Sequence, residues 1–198
     1  FDYMITNPPF GVSWKSEVPF VKNESKEPHG SFFIGTPRTS DGSLLFLQHP
    51  IHKMEPSGSR IGIIFNGSSL FTGDAGSGES EIRKWIIEKD MLECVIELPD
   101  RMFFNTSIKT YLWVVTNKKS INRKGKIQLI DGSSFGSFMK KNLGDKSKYI
   151  NDENIKNLIN IYKSNLENEF SKIYNNSFFG YTKVIVEQPL IENQKIKK

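Results

Sequence analysis

The chain has 198 residues, 37% of them hydrophobic and 25% charged, and its 27 Lys+Arg against 22 Asp+Glu give a formal net charge of +5. That length suits one medium domain or a piece of a larger one, and with a mean hydropathy of −0.43 and apolar runs no longer than those such as Tyr111–Val115, it offers no segment to span a bilayer. A single cysteine, Cys94, excludes an internal disulfide framework and a Cys-rich zinc site; no secretory leader pattern opens the chain, so the cytoplasm is the expected compartment.

Residues 1–6 read as a short apolar strand, and Phe1 stands where an initiator methionine would, so a fragment of a longer protein is expected. Asn7-Pro8-Pro9 ends that strand, because adjacent prolines neither donate to a ladder nor continue a helix. Residues 11–42 are polar and broken by Gly and Pro, a long aperiodic stretch of the kind that is functional or disordered. A helical stripe follows over 43–54 (Leu44, Leu45, Leu47, Ile51, Met54), bent or ended by Pro50. Residues 60–65 read as a buried strand. Residues 79–90 read as an amphipathic helix with Ile82, Trp85 and Ile86 on one face, its start marked by Ser77, Ser80, Glu79 and Glu81. Another strand spans 91–98. The strands Lys109–Asn117 and Lys126–Asp131 are joined by a link too short for a parallel crossover, which predicts an antiparallel hairpin. Residues 132–153 read as loop, 152–174 as helix and Tyr181–Val186 as a last strand. Helix–strand alternation followed by a hairpin predicts an α/β layer fold.

The sharpest chemical signal is Asn7-Pro8-Pro9-Phe10, directly after the first strand. Open α/β sheets bind ligands beyond the carboxyl ends of their strands. Asn7 supplies a side-chain carbonyl acceptor. Pro8, with its fixed φ and no N–H, can hold its backbone carbonyl towards a cavity, and Phe10 supplies a flat stacking face. Two convergent acceptors and a ring suit a planar group bearing an –NH2, such as adenine N6. Two hydrogen bonds from that amine favour a geometry in which its lone pair can attack an electrophilic methyl on a sulfonium. A stacking aromatic also suits a base flipped from a duplex.

Further stretches carry a family resemblance: Asp2–Lys15, Gly42–Met54, Gly58–Ile61, Asn66–Ser80, Ile82–Ile87, Leu98-Pro99, Phe103–Thr106, Thr110–Val114, Asn117–Lys119, Phe179–Tyr181 and Val186–Leu190, the last with Gln188 where arginine is more usual. Asp2–Phe10 resembles the catalytic motif of S-adenosylmethionine-dependent amino-methyltransferases. The whole resembles the methylation (M) subunit of type I restriction-modification systems, most specifically over Phe71–Ser80. The resemblance implies a partial Rossmann-like methyltransferase fold, its mostly parallel sheet ending in an antiparallel hairpin. It implies methyl transfer from S-adenosyl-L-methionine to adenine N6 in double-stranded DNA, with Asn7 and the Pro8 carbonyl holding the amine, Pro9 completing the motif and Phe10 stacking on the base. A specificity subunit and a restriction subunit would be the partners. In such enzymes the cofactor turn precedes the catalytic motif. Residues 1–135 are therefore expected to be the catalytic part of the methyltransferase domain with its cofactor half missing upstream, and 136–198 a C-terminal helical extension with a final strand. A piece of this extent is expected to be inactive alone.

The motif also serves enzymes that methylate other planar amines, a protein glutamine or an RNA base, although Phe71–Ser80 argues against them. A scaffold docking a specificity subunit through 152–174 and the last strand is the non-catalytic rival. Gly73-Asp74-Ala75-Gly76-Ser77-Gly78 lacks both the dinucleotide spacing and a phosphate-loop lysine, and reads better as a mobile loop near the site. Lys118, Lys119, Arg123, Lys124 and Lys126 form a basic cluster that, with Lys140, Lys141, Lys146 and Lys148, would suit a phosphate backbone but reads better as a solvated hairpin tip. His49 and His52 have no acidic or cysteine neighbours to make a metal site. Trp14 is the tryptophan expected to meet substrate; Trp85, Trp113 and Cys94 are expected to pack in the core.

Overall fold

The computed structural model describes residues 1–104, 106–187, 190–192 and 195–197. Asn105, Gln188 and Pro189, which fall in stretches carrying the family resemblance, lie outside the described residues. Strand β1 (Tyr3–Thr6) stops at the Asn7-Pro8-Pro9 breaker. The polar stretch after it is ordered in part: α1 (Val18–Glu24) starts with Pro19 in its first turn, where the missing N–H costs nothing. Next come α2 (Ser43–His52), with Pro50 in its last turn, and β2 (Arg60–Asn66). A single turn, α3 (Ser68–Phe71), leads to α4 (Gly78–Glu88). The Ser77 hydroxyl caps α4 by accepting from Ser80 N–H at 3.3 Å.

Strands β3 (Leu92–Glu97), β4 (Thr110–Thr116) and β5 (Lys126–Asp131) follow. Beyond them lie β6 (Ser137–Leu143), β7 (Lys146–Tyr149), α5 (Asp152–Ser164), β8 (Ser171–Asn175), β9 (Leu190–Glu192) and β10 (Lys195–Lys197). Six of these strands form one sheet in the order β1-β2-β4-β3-β5-β8. β1 is parallel to β2 and β3 to β5, whereas β4 is antiparallel to both β2 and β3, and β8 is antiparallel to β5. Strands β1, β2, β3 and β5 thus run one way and end at one edge of the sheet.

Helices cover both faces, as expected of an α/β protein. On one face Leu44, Leu47 and Ile51 of α2 and Ile82 and Ile86 of α4 pack on Ile61, Ile63, Phe65, Val95, Trp113 and Val115. On the other, Leu158 of α5 packs with Cys94, Ile96, Leu98 and Ile130. β3 is buried over nearly its whole length because it sits between the two layers. β2 alternates, with Ile61, Ile63 and Phe65 fully buried between half-buried neighbours. The α/β class and the antiparallel component of the sheet agree with the sequence reading.

Four local expectations are corrected. Strands 109–117 and 126–131 do not pair: β3 lies between β4 and β5. Residues 117–125 are long enough to step over one strand, since adjacent strands stand only ~4.8 Å apart, and β4 pairs antiparallel with β2 and β3 while β5 pairs antiparallel with β8. Residues 132–153 are not all loop, because they hold the β6–β7 hairpin, whose residues are mostly exposed and so show no apolar alternation. The helix predicted over 152–174 ends at Ser164, where Asn165 turns left-handed at φ 49°. Asparagine tolerates that conformation, and Ser171–Asn175 then pairs with β5. Tyr181–Val186 forms no strand and its apolar side chains are exposed.

Candidate active site at the carboxyl edge of the sheet

Asn7-Pro8-Pro9-Phe10 lies at the carboxyl end of β1, the edge at which β2, β3 and β5 also end. Asn7 is exposed, and among the described residues its side-chain amide makes no hydrogen bond, so its acceptor is open to a ligand. Pro8 is buried, Pro9 exposed and Phe10 half-buried. Gly11 follows at φ +62°, with nothing within 4 Å of where a Cβ would stand; the left-handed turn, rather than crowding, calls for glycine here. The Phe10 ring meets Phe103 edge-to-face, centroids 6.1 Å apart and planes at 87°. Phe103 comes from the segment after β3. The structure thus brings together one motif read from sequence and one ring outside it, and the signal for Phe103 lay in the family-like stretch Phe103–Thr106.

A polar cluster that sequence reasoning missed stands beyond β2. Asp41 accepts from Ser43 N–H at 3.0 Å and Ser43 Oγ at 2.6 Å, and pairs with Arg38 at 3.4 Å. Ser68 Oγ lies 2.6 Å from Asn66 Oδ1 and 3.1 Å from Asp41 Oδ2, so its one proton serves either. Burial raises the Asp41 pKa, but the Ser43 and Ser68 hydrogen bonds and the Arg38 charge outweigh it and hold the carboxyl below the usual range. No spacing signal announces this group, because Asp41 and Ser68 are brought together only by the packing of α2 and α3 on β2.

Other sequence candidates fall elsewhere. Trp14 is not a substrate contact. It is 7% exposed and packs with Val21 and Leu45, and its indole N–H donates to the Arg38 carbonyl at 2.9 Å. Trp113 is buried against Phe65, as expected, and Trp85 is half-buried against Phe33. Burial pushes the Cys94 thiol far above its ordinary pKa, which suits a packing role. The basic cluster is split. Lys119, its side chain 1% exposed, pairs with Asp90 at 2.6 Å and donates to the Lys126 carbonyl at 2.7 Å. Arg123 is buried and pairs with Glu93 at 3.7 Å. These two cations are internal ties and not part of a solvated tip.

Both ends of the Gly73–Gly78 loop are packed closely against the rest of the chain. A Cβ at Gly78 would stand 1.8 Å from the Thr36 carbonyl, and one at Gly73 would stand 2.4 Å from Ser77 Oγ. These two glycines permit close packing of the chain on itself, whereas Gly76, at φ +83°, has nothing within 4 Å of where a Cβ would stand. A cavity of about 440 Å3 lies elsewhere, over Val95, Trp113, Ile127 and Tyr174, and none of Asn7–Phe10 lines it. It is the part of the sheet face that α4 leaves uncovered. No helix among the described residues is long and apolar enough to cross a membrane.

The sequence matches the N-6 DNA Methylase family over residues 1–194. It is 32% identical over 145 residues to the type I restriction enzyme HindI methylase subunit of Haemophilus influenzae, covering 73% of this chain and 30% of that protein. Over 163 residues it is 26% identical to the type I restriction enzyme MjaIX methylase subunit of Methanocaldococcus jannaschii, covering 82% of this chain and 28% of that protein. The chain therefore spans less than a third of the curated relatives it matches. Among solved structures it resembles the methyltransferase subunit of a type I restriction-modification system from Streptococcus thermophilus, with a TM-score of 0.74 and 27% identity, covering 89% of this chain and 34% of that one. A modification subunit of a putative type I restriction enzyme from Vibrio vulnificus shares the fold, with a TM-score of 0.66 at 19% identity.

Proposed function

Because this chain belongs to the N-6 DNA Methylase family, we propose that it forms part of an S-adenosylmethionine-dependent adenine-N6 DNA methyltransferase, the modification subunit of a type I restriction-modification system. The observation that carries the reading is the placement of Asn7-Pro8-Pro9-Phe10 beyond the carboxyl end of a parallel strand, with Asn7 exposed and Phe10 half-buried against Phe103. The proposed substrate is double-stranded DNA and the proposed partners are a specificity subunit that reads the sequence and a restriction subunit, acting together in the cytoplasm; the likeness to type I restriction enzyme methylase subunits supports this reading.

On this reading Asn7 Oδ1 and the Pro8 carbonyl oxygen each accept one hydrogen of the adenine amine. Two hydrogen bonds draw N6 away from conjugation with the ring and aim its lone pair outward. Phe10 stacks on the extruded base, and Phe103 keeps the ring from turning away. Base–aromatic stacking contributes about 1–3 kcal/mol, comparable to the unstacking cost of a few kcal/mol that flipping incurs. S-adenosylmethionine supplies the electrophilic methyl. This chain's own share of the chemistry is to hold and orient the amine at Asn7–Phe10.

The test is Asn7→Ala in the intact enzyme, with transfer of labelled methyl to unmodified DNA as readout. Loss of at least a hundredfold in rate is expected, about 2.7 kcal/mol or more in the barrier, with an unchanged melting temperature because Asn7 is exposed. Transfer at the normal rate would remove the assigned role.

A further inference from the structure

The β6–β7 hairpin is a two-stranded sheet separate from the main one. Isolated two-stranded ribbons are marginal in water, so its anchorage matters. That anchorage is the segment after β3. Ser147 N–H and Lys148 N–H both donate to the Arg101 carbonyl, at 3.0 and 3.2 Å. Asp100 pairs with Lys148, and Lys146 Nζ stands 5.2 Å from the centroid of the Phe104 ring. Arg101 is held at φ 54°, a conformation uncommon for a residue with a Cβ. The same segment supplies Phe103, the ring against Phe10. The hairpin is thus tied to the motif at the end of β1.

Its surface is basic and aromatic together. Ser137–Tyr149 holds four lysines and one aspartate. Lys140 and Lys141 are exposed, and among the described residues neither they nor Lys146 forms an ion pair. Phe138 is 76% exposed with Lys148 Nζ 5.4 Å from its ring centroid, and Tyr149 is exposed beside it. Lysines on an edge alone would be read as guards against strand-to-strand aggregation. Phe138 and Tyr149 oppose that reading, since they restore the apolar edge that such lysines remove. Lysines interleaved with exposed rings fit a polyanion whose charges alternate with flat apolar surfaces.

We infer that the β6–β7 hairpin is a DNA-contacting arm: Lys140, Lys141 and Lys146 engage backbone phosphates flanking the adenine held at Asn7–Phe10, and Phe138 lies against sugar or base surface. The inference rests on the adenine reading and adds to it the surface that holds the duplex next to the flipped base. A seven-residue strand runs roughly 20 Å, against a rise of about 3.4 Å per nucleotide along one DNA strand, so one arm reaches several phosphates. Charge selects DNA over a protein partner.

The test is DNA binding by the intact enzyme as a function of salt. Lys140→Gln/Lys141→Gln is compared with wild type and with Lys89→Gln/Lys124→Gln, two exposed lysines at the amino ends of β3 and β5, the opposite edge of the sheet. Each lost phosphate contact flattens the slope of log Kobs against log [salt] by about 0.9, so the hairpin pair should lower it by nearly 2 while the control pair keeps the wild-type slope. Phe138→Ser, which carries no charge, should weaken binding without changing the slope. Equal melting temperatures establish that the variants are folded. A wild-type slope in Lys140→Gln/Lys141→Gln overturns the inference, as does a wild-type slope accompanied by loss of a subunit from the assembly, which would assign the surface to a protein partner. If the wild-type enzyme methylates DNA but the hairpin slope is unchanged, only the arm is wrong. If the wild-type enzyme methylates no DNA, the adenine reading fails and takes the arm with it.

Discussion

Asp41 and Asp90 each gather several donors around one carboxylate. Asp41 is held by Ser43, Ser68 and Arg38. Asp90 accepts from Lys119 Nζ at 2.6 Å, Gly125 N–H at 2.9 Å and the Asn176 amide at 2.9 Å. For both, burial pushes the pKa up, and the hydrogen bonds and nearby cations overcome it and leave the carboxyl below its ordinary value. A carboxyl with a lowered folded pKa contributes stability that is present above the unfolded value of about 3.9 and is lost as pH falls through the folded value. Melting temperature is therefore expected to decline steeply below about pH 4, and Asp41→Asn should be less stable than wild type at neutral pH, with the difference shrinking in acid. A constant difference across the titration would show that the Asp41 charge contributes nothing. Trp14 makes the same point about context: its residue type fits base stacking, but its indole N–H is already committed to the Arg38 carbonyl.

At the scale of elements, α5 is set by its two ends. Asn151 caps it by accepting from Asn154 N–H at 2.8 Å, Asp152 and Glu153 favour the positive end of the helix dipole, and Asn165 stops it. Asn151→Ala should cost about 1 kcal/mol by urea denaturation, whereas Asn165→Gly, which keeps the left-handed turn, should cost little. Equal losses would mean that α5 is held by packing rather than by its caps. The ends of α4 were legible because Ser77 and its early glutamates follow capping chemistry. The end of α5 was not. Leu166 and Phe170 continue the apolar spacing past Ser164, and periodicity cannot register a backbone reversal at one asparagine. The β6–β7 hairpin was hidden for the opposite reason, since a ribbon solvated on both faces has no apolar alternation to read.

Across the molecule, the two edges of the sheet are built differently. At the amino edge Glu93, its side chain 1% exposed, pairs with Arg60 at 3.1 Å and Arg123 at 3.7 Å and accepts from the Tyr162 hydroxyl, tying β2, β3, α5 and the turn that leads into β5 together. Burial and the Glu93 charge both raise the Tyr162 pKa, so the phenol stays protonated as a donor. Glu93→Ala would leave Arg123 buried without its counter-charge and should cost about 3–5 kcal/mol by chemical denaturation. In the intact enzyme, methyl transfer per folded molecule should stay intact, because the proposed site lies at the opposite, carboxyl edge; a selective loss of activity would contradict that division. The α/β class, most strands and helices, and the Asn7-Pro8-Pro9-Phe10 motif are legible in the amino-acid order alone, because period, capping and proline chemistry act over a few residues. That β3 separates β4 from β5, that Phe103 backs Phe10, that Lys119 and Arg123 are internal ties, and that the β6–β7 hairpin docks on the Arg101 carbonyl emerge only in the folded chain. Each of these depends on which distant segments pack together, and that is set by the burial of whole faces and the pairing of buried polar groups, which no local spacing encodes.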